Sequence, residues 1–346
     1  MSKKTRGLFD YEYQLELINK HQPPLQKLNA VIDWEMFRTP IEEALHVEPK
    51  APGGRPPFDR LMMFKIIILQ RYYNLSDEQT EFQIKDRLSF MQFLGLQIGD
   101  KIPDEKTVWH FKEQLKKHKL SKKLFDLFTA QLINNGVVAR AGSMVDASFV
   151  NVPGQRNTRE ENDTIKQGNI PESFENNPAK LSQKDTDARW MTKNKERHFG
   201  YKNHINADAA TKLITKFVTS SASLHDSQKL EELVSQHDNR LFADSAYRSD
   251  KIESYLWLKK CKSFIHEKAY RSRPLTHAQE RSNSIKSKIR VKVEHVFGYM
   301  TNSMNNGLDL KAIGKERIES TIGLLNLTYN LFRYEQLVRL QKVKKI

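Results

Sequence analysis

Apolar and polar positions along this 346-residue chain follow two rhythms, and the change falls near residue 135. Up to that point the spacing is helical. A strongly apolar helix is predicted over residues 58–73, and a second starts at Ser76, whose spacing to Gln79 fits a capping box; it carries Phe82, Ile84, Leu88 and Phe90. A third opens at Pro103-Asp104 after a Gly99-Asp100 turn, around a core stripe of Val108, Phe111 and Leu115. A helix over 121–134 leads out of this region. Residues 1–50 hold short helical signals broken at Pro23-Pro24 and Pro40, and Ala51-Pro-Gly-Gly-Arg-Pro-Pro57 reads as a loop.

Beyond residue 135 short apolar runs replace the helical period. Ala141-Gly-Ser-Met-Val-Asp146-Ala-Ser-Phe-Val150 reads as a core strand that leaves through Asn-Val-Pro-Gly. Residues 151–197 turn polar and are expected to form a long loop, in which Asp185 and Asp187 are expected to be merely solvated. Strands return over 198–207 and 213–219, joined by a hairpin turn, and with the Asp146 strand they predict a three-stranded meander. A helix over 226–237, a strand ending at Asp244, a helix over 250–260 with Asp250 and Glu253 as its capping box, and a strand over 262–266 complete an α/β pattern. A helix around Glu294 follows the basic stretch 271–290, with Ile285, Ile289, Val293, Val296 and Met300 as its buried face. The last helix is expected over 318–339.

Composition narrows the partners. Lys and Arg number 57 against 42 Asp and Glu, a net charge of +15 with a pI near 9.6, and the basic residues are spread along the chain. Such an excess favours a polyanionic partner. Cys261 is the only cysteine, so an intramolecular disulfide and a Cys-based zinc site are both excluded, and a reducing compartment is expected. The stretch 61–69 is broken by Lys65 and too short for a bilayer, so no membrane association and a cytoplasmic location are expected. The third helix exposes Lys106, Thr107, His110, Lys112, Lys116 and Lys117; a helix–turn–helix-like unit over 58–118 with this basic final helix is a candidate reader of the major groove, and the same residues fit a solvated helix face. His198, Lys202 and His204 alternate along one strand face and are candidates for contact with a DNA backbone, and such alternation also marks an ordinary solvent face.

Three acids stand out because their surroundings make them costly. Asp146 lies inside an apolar run, Asp244 ends another, and Glu294 stands at the edge of a helix packing seam. Two aspartates at the ends of neighbouring strands can converge on one point beyond the sheet. Arranged in this order, with Arg290-Val-Lys-Val-Glu294-His-Val-Phe-Gly around the last, the trio resembles the DDE transposases of bacterial insertion sequences, most closely the IS-five group within the IS-four superfamily. Gly54-Arg-Pro-Pro-Phe58 and Ile102-Pro-Asp-Glu-Lys-Thr-Val-Trp109 look like the region these transposases place ahead of their catalytic core.

The resemblance implies a ribonuclease H-like catalytic core, a mixed sheet flanked by helices over 136–346, preceded by an α-helical DNA-binding region over 1–135. It implies two Mg²⁺ ions, with Mn²⁺ as substitute, held by Asp146, Asp244 and Glu294. It also implies double-stranded DNA as partner, both the inverted-repeat ends of an element and its target, a homodimer or larger assembly on DNA, and association with the nucleoid when bound. In the family's signature of Tyr, two residues, Arg, three residues, Glu, six residues and Lys, Arg290 and Glu294 fit, while Ser287 and Thr301 stand where Tyr and Lys belong. Arg290, four residues before Glu294, projects on the same helix face and is a candidate to neutralise a phosphate, and the same spacing fits a plain helical salt bridge. A catalytically inactive DNA-binding descendant and a metal-dependent nuclease without strand transfer remain the alternatives.

Overall fold

Among the described residues, seven α-helices build the N-terminal region: α1 (Asp10–Lys20), α2 (Pro24–Val31), α3 (Arg38–Ala44), α4 (Arg60–Tyr73), α5 (Asp77–Asp86), α6 (Leu88–Leu94) and α7 (Glu105–Lys117). The structure, a computed structural model, describes residues 10–46, 56–193, 195–270 and 273–346. The expected loop at 51–57 and the Gly54-Arg55 part of its motif therefore lie almost wholly outside the described residues. Ser76 caps α5 through its side chain, the first half of the expected capping box, and Asp104 caps α7 in the same way. The expected continuous helix from Ser76 through Phe90 is instead two helices. Arg87 adopts an extended conformation between them, with its guanidinium 5.0 Å from the centre of the Phe90 ring, and this break turns Phe90, Met91, Phe93 and Leu94 into the core.

The chain divides into two compact units, one drawing on residues up to Leu120 together with Leu331–Lys345, the other comprising Ser121–Asn330. In the second unit α8 (Leu120–Asn134) leads to a six-stranded mixed sheet of β1 (Ser143–Asn151), β2 (Arg189–Lys193), β3 (Glu196–Asp208), β4 (Ile214–Ser221), β5 (Arg240–Ala243) and β6 (Lys262–Ile265). Its order is β2-β3-β1-β5-β6, with β4 also paired to β3. β1, β3 and β4 form the expected antiparallel meander, and β5 and β6 continue it in parallel with β1, which is the ribonuclease H-like arrangement. Parallel pairing needs crossover segments, and these are α12 (Leu230–Leu233) and α13 (Asp250–Leu258). Leu230, Leu233, Ile252 and Leu256 pack with Val145, Leu241, Ala243 and Ile265 in one apolar core.

Four expectations are corrected here. The polar stretch 151–197 is not a plain loop: it holds α9 (Arg159–Lys166), α10 (Glu172–Glu175), α11 (Pro178–Leu181) and β2. A few anchors order it. Phe174 is fully buried beneath the ammonium groups of Lys180 and Lys184, and Asp185, only 3% exposed, accepts hydrogen bonds from the Tyr201 hydroxyl and from the Ala188 and Gly314 amides. The helix expected over 226–237 shrinks to a 3₁₀ turn and α12, because Asp238 captures the Ser235 amide and ends it. The cap of α13 is Ser249, not Asp250, and Glu253 accepts from Ser263 instead. On α14 (His277–Asn302), Val293, Val296 and Met300 are buried, but Ile285 is 66% exposed, because the neighbouring Lys286 is the residue turned to the sheet there, bonding the Ile265 carbonyl of β6. α15 (Lys315–Arg339) closes the chain, and no helix among the described residues is long and apolar enough to cross a membrane.

Candidate active site

β1 carries Asp146 at its centre, opposite Ile205 of β3, and one of its carboxylate oxygens accepts the Ala147 amide at 2.8 Å. Asp244 follows the last residue of β5. There it caps the single 3₁₀ turn Ser245–Tyr247, accepting the Ser245 amide at 2.6 Å. Because β1 and β5 are parallel neighbours, the two aspartates project from adjacent strands of one sheet. α14 packs on both strands and brings the third acid, Glu294. Arg290 joins the set: its guanidinium lies 2.8 Å from a Glu294 oxygen, one helical turn on, and 3.5 Å from the free oxygen of Asp146.

Burial dominates the electrostatics of Asp146. Burial pushes the Asp146 carboxyl up to about 6, with Asp226 adding to the rise, while the Ala147 amide, Arg290 and Lys193 pull the other way. Asp226 was not among the acids that sequence reasoning placed here. It sits in the turn after β4, where the buried Lys202 ammonium holds it at 2.7 Å. Tyr247 was also missed; its ring is 1% exposed in the core beside Val145, and its hydroxyl is buried without a partner. The visible signals were slight, an Asp after His225 and a Tyr three residues after Asp244. His266 completes the rim, 3.4 Å from the Ser287 hydroxyl, and burial and Arg290 lower its pKa.

The donor set is chemically right for a hard divalent cation, being three carboxylates with oxygens left open. Among the described residues no three acidic, His or Cys side chains are gathered as a metal cage. Arg290 occupies the space between Asp146 and Glu294, so the two acids share a guanidinium as they stand.

The residues expected to touch DNA fare unequally. On α7, Lys106 and His110 are exposed beside Trp109, which is 49% exposed, and Thr107 is half-buried. Lys112 is engaged: its ammonium pairs with Asp77, and burial lowers its pKa. Lys202 and His204 are corrected outright. Their strand face is interior, not solvent-facing, with Lys202 bonded to Asp226 and the Leu224 carbonyl and His204 to Ser220. His198 stacks on Phe149 with ring centres 4.2 Å apart and stays partly open.

Residues 139–331 match the family model described as Transposase DDE domain, and residues 12–114 match one described as Transposase domain (DUF772). Among solved structures the chain is similar to a piggyBac transposase synaptic complex with hairpin DNA. That likeness has a TM-score of 0.45 at 12% identity and covers 100% of this chain and 79% of that one.

Proposed function

Because the chain belongs to the DDE transposase family, whose function is DNA transposition, we propose that Asp146, Asp244 and Glu294 are the acids with which it cuts and joins DNA. The observation that carries this reading is that Arg290 bridges Asp146 of β1 and Glu294 of α14, inside the matched domain, while Asp244 leaves the neighbouring strand β5. We place the chain in the IS-five group on the sequence around Glu294, and we assign it the inverted-repeat ends of its element and target DNA as substrates. Held by these three carboxylates, two Mg²⁺ ions, or Mn²⁺, would supply the charge that activates an attacking hydroxyl or water and stabilises the leaving 3′ oxygen. Asp146, ionised at neutral pH against its surroundings, is poised to accept a cation. Arg290 is a two-pronged donor already aimed between the acids and would turn its fork onto the phosphate when DNA arrives. Ser287, in place of the signature tyrosine, offers no ring to stack on a terminal base, so that clamp must come from elsewhere. Two ends held together call for a dimer or larger assembly.

Incubating the protein with Mg²⁺ and DNA carrying the element's ends tests this directly. Nicked and joined products are expected, and both should vanish with EDTA. Asp146→Asn, Asp244→Asn and Glu294→Gln should each abolish them while end binding persists, and double variants should be no worse, because groups acting as a unit are not additive. Substantial cleavage by any single variant removes that residue from the site. Nicks without joined products would make the protein a nuclease, and binding alone would make it a DNA-binding descendant.

A further inference from the structure

Tyr247 is the least explained group beside the acids. Its backbone amide bonds the Asp244 carbonyl at 3.0 Å, which fixes the ring one tight turn from that acid. The ring lies in the same apolar cluster as Val145, the neighbour of Asp146, and its turn also touches the turn that carries Asp226. The phenol oxygen is fully buried and makes no hydrogen bond. A buried hydroxyl without a partner is expensive, and where it persists beside a group of acids it calls for an explanation in what that site binds. Tyr247 is not alone in this. Arg290 Nε, on the helix that faces β1, is likewise buried and unpartnered, although the same guanidinium bonds Asp146 and Glu294 through its other nitrogens.

We propose that Tyr247 Oη and Arg290 Nε are a pair of reserved donors for the anionic oxygens of the phosphodiester that the acids attack, making Tyr247 a positioning residue for the scissile phosphate. The inference rests on the transposition reading above. Donors alone suit an anion, whereas a metal ion would be repelled by an N–H and gains nothing from a protonated phenol. A phenol keeps its proton through the neutral range, so Tyr247 is a donor at the working pH. The ring is held in the core, so its position is set before DNA binds.

Tyr247→Phe removes the hydroxyl and leaves the ring. Three measurements on the full-length protein decide the matter: the melting temperature, the affinity for an end duplex with a normal scissile phosphate, and the affinity for the same duplex bearing an uncharged methylphosphonate there. The expected pattern is a melting temperature unchanged or raised, binding of the normal duplex weakened by about ten-fold or more, as for a hydrogen bond to a charged group, and binding of the methylphosphonate duplex unaltered by the substitution. Equal weakening on both duplexes, no weakening on either, or a marked fall in melting temperature would overturn the proposal, because each gives the hydroxyl a role other than reading that phosphate. If the unsubstituted protein neither binds nor cuts its ends, the transposition reading itself fails, and this inference falls with it.

Discussion

Asp146 is ionised at neutral pH in a place that resists the charge, and that has a thermodynamic consequence. Its pKa in the folded protein, about 6, lies above the ordinary carboxyl value of 3.8, so the folded state binds the proton more tightly than the unfolded one. The stability this provides is fully present below about pH 4 and is lost as pH rises through 6. Asp146→Asn should therefore raise stability at pH 8 by up to about 3 kcal/mol, with no gain near pH 4, while abolishing cleavage. Thermal melts of both proteins across that range check the sign; an Asn variant less stable than its parent at pH 8 would contradict it. The same conflict made the residue legible in the sequence, since an acid inside an apolar run needs a reason. Lys202 and His204 were misread at this scale because alternation shows that residues share a face without showing whether that face meets solvent. Tyr247 gave no signal, because an aromatic in an α/β pattern is ordinary until its hydroxyl is found without a partner.

Among the elements, β1 carries Asp146, and its pairing with β3 depends on Gly200. It pairs with Asn151 of β1 on one side and Arg189 of β2 on the other, at φ +144°, and a Cβ there would stand 2.3 Å from the Val150 carbonyl oxygen. That atom is backbone and cannot swing aside. Gly200→Ala should cost about 2–3 kcal/mol and loosen the register that carries Asp146. Gly298 on α14 is the natural control, since a Cβ there meets nothing within 4 Å, and its change to Ala should stabilise the helix by about 0.5–1 kcal/mol. Urea melts of the two variants should move in opposite directions; a shared direction would mean that glycine freedom, not the Val150 contact, governs both. Strands and long helices were readable because each buries a regular set of positions. The stretch 151–197 was not, because Asp185, Phe174 and the Thr158–Glu161 capping box order it through single anchors rather than through any period.

At the scale of the whole molecule the least legible feature was where the chain's last residues belong. Periodicity shows that α15 has buried positions but not what covers them, so a boundary near residue 135 with everything after it in one domain was the natural expectation. In the structure Leu331–Lys345 belongs with the first unit, where Phe332 stacks on Tyr72 with ring centres 3.8 Å apart and planes within 15°, and Lys345 bonds the Ala30 carbonyl. Phe332 is 4% exposed, and Tyr334 and Leu337 are buried with it. Phe332→Ala in the full chain should therefore cost about 3–5 kcal/mol, as cavities left by large aromatics do. The loss should be local, because contacts within a compact unit set how readily its own amides open. Hydrogen exchange would show it: amides of α4, which carries Tyr72, should exchange faster, while those of β1 and β3 keep their protection. Equal acceleration in both places would mean that the two units unfold as one, and the C-terminal segment would then be a brace for the whole chain rather than a part of the N-terminal helical unit.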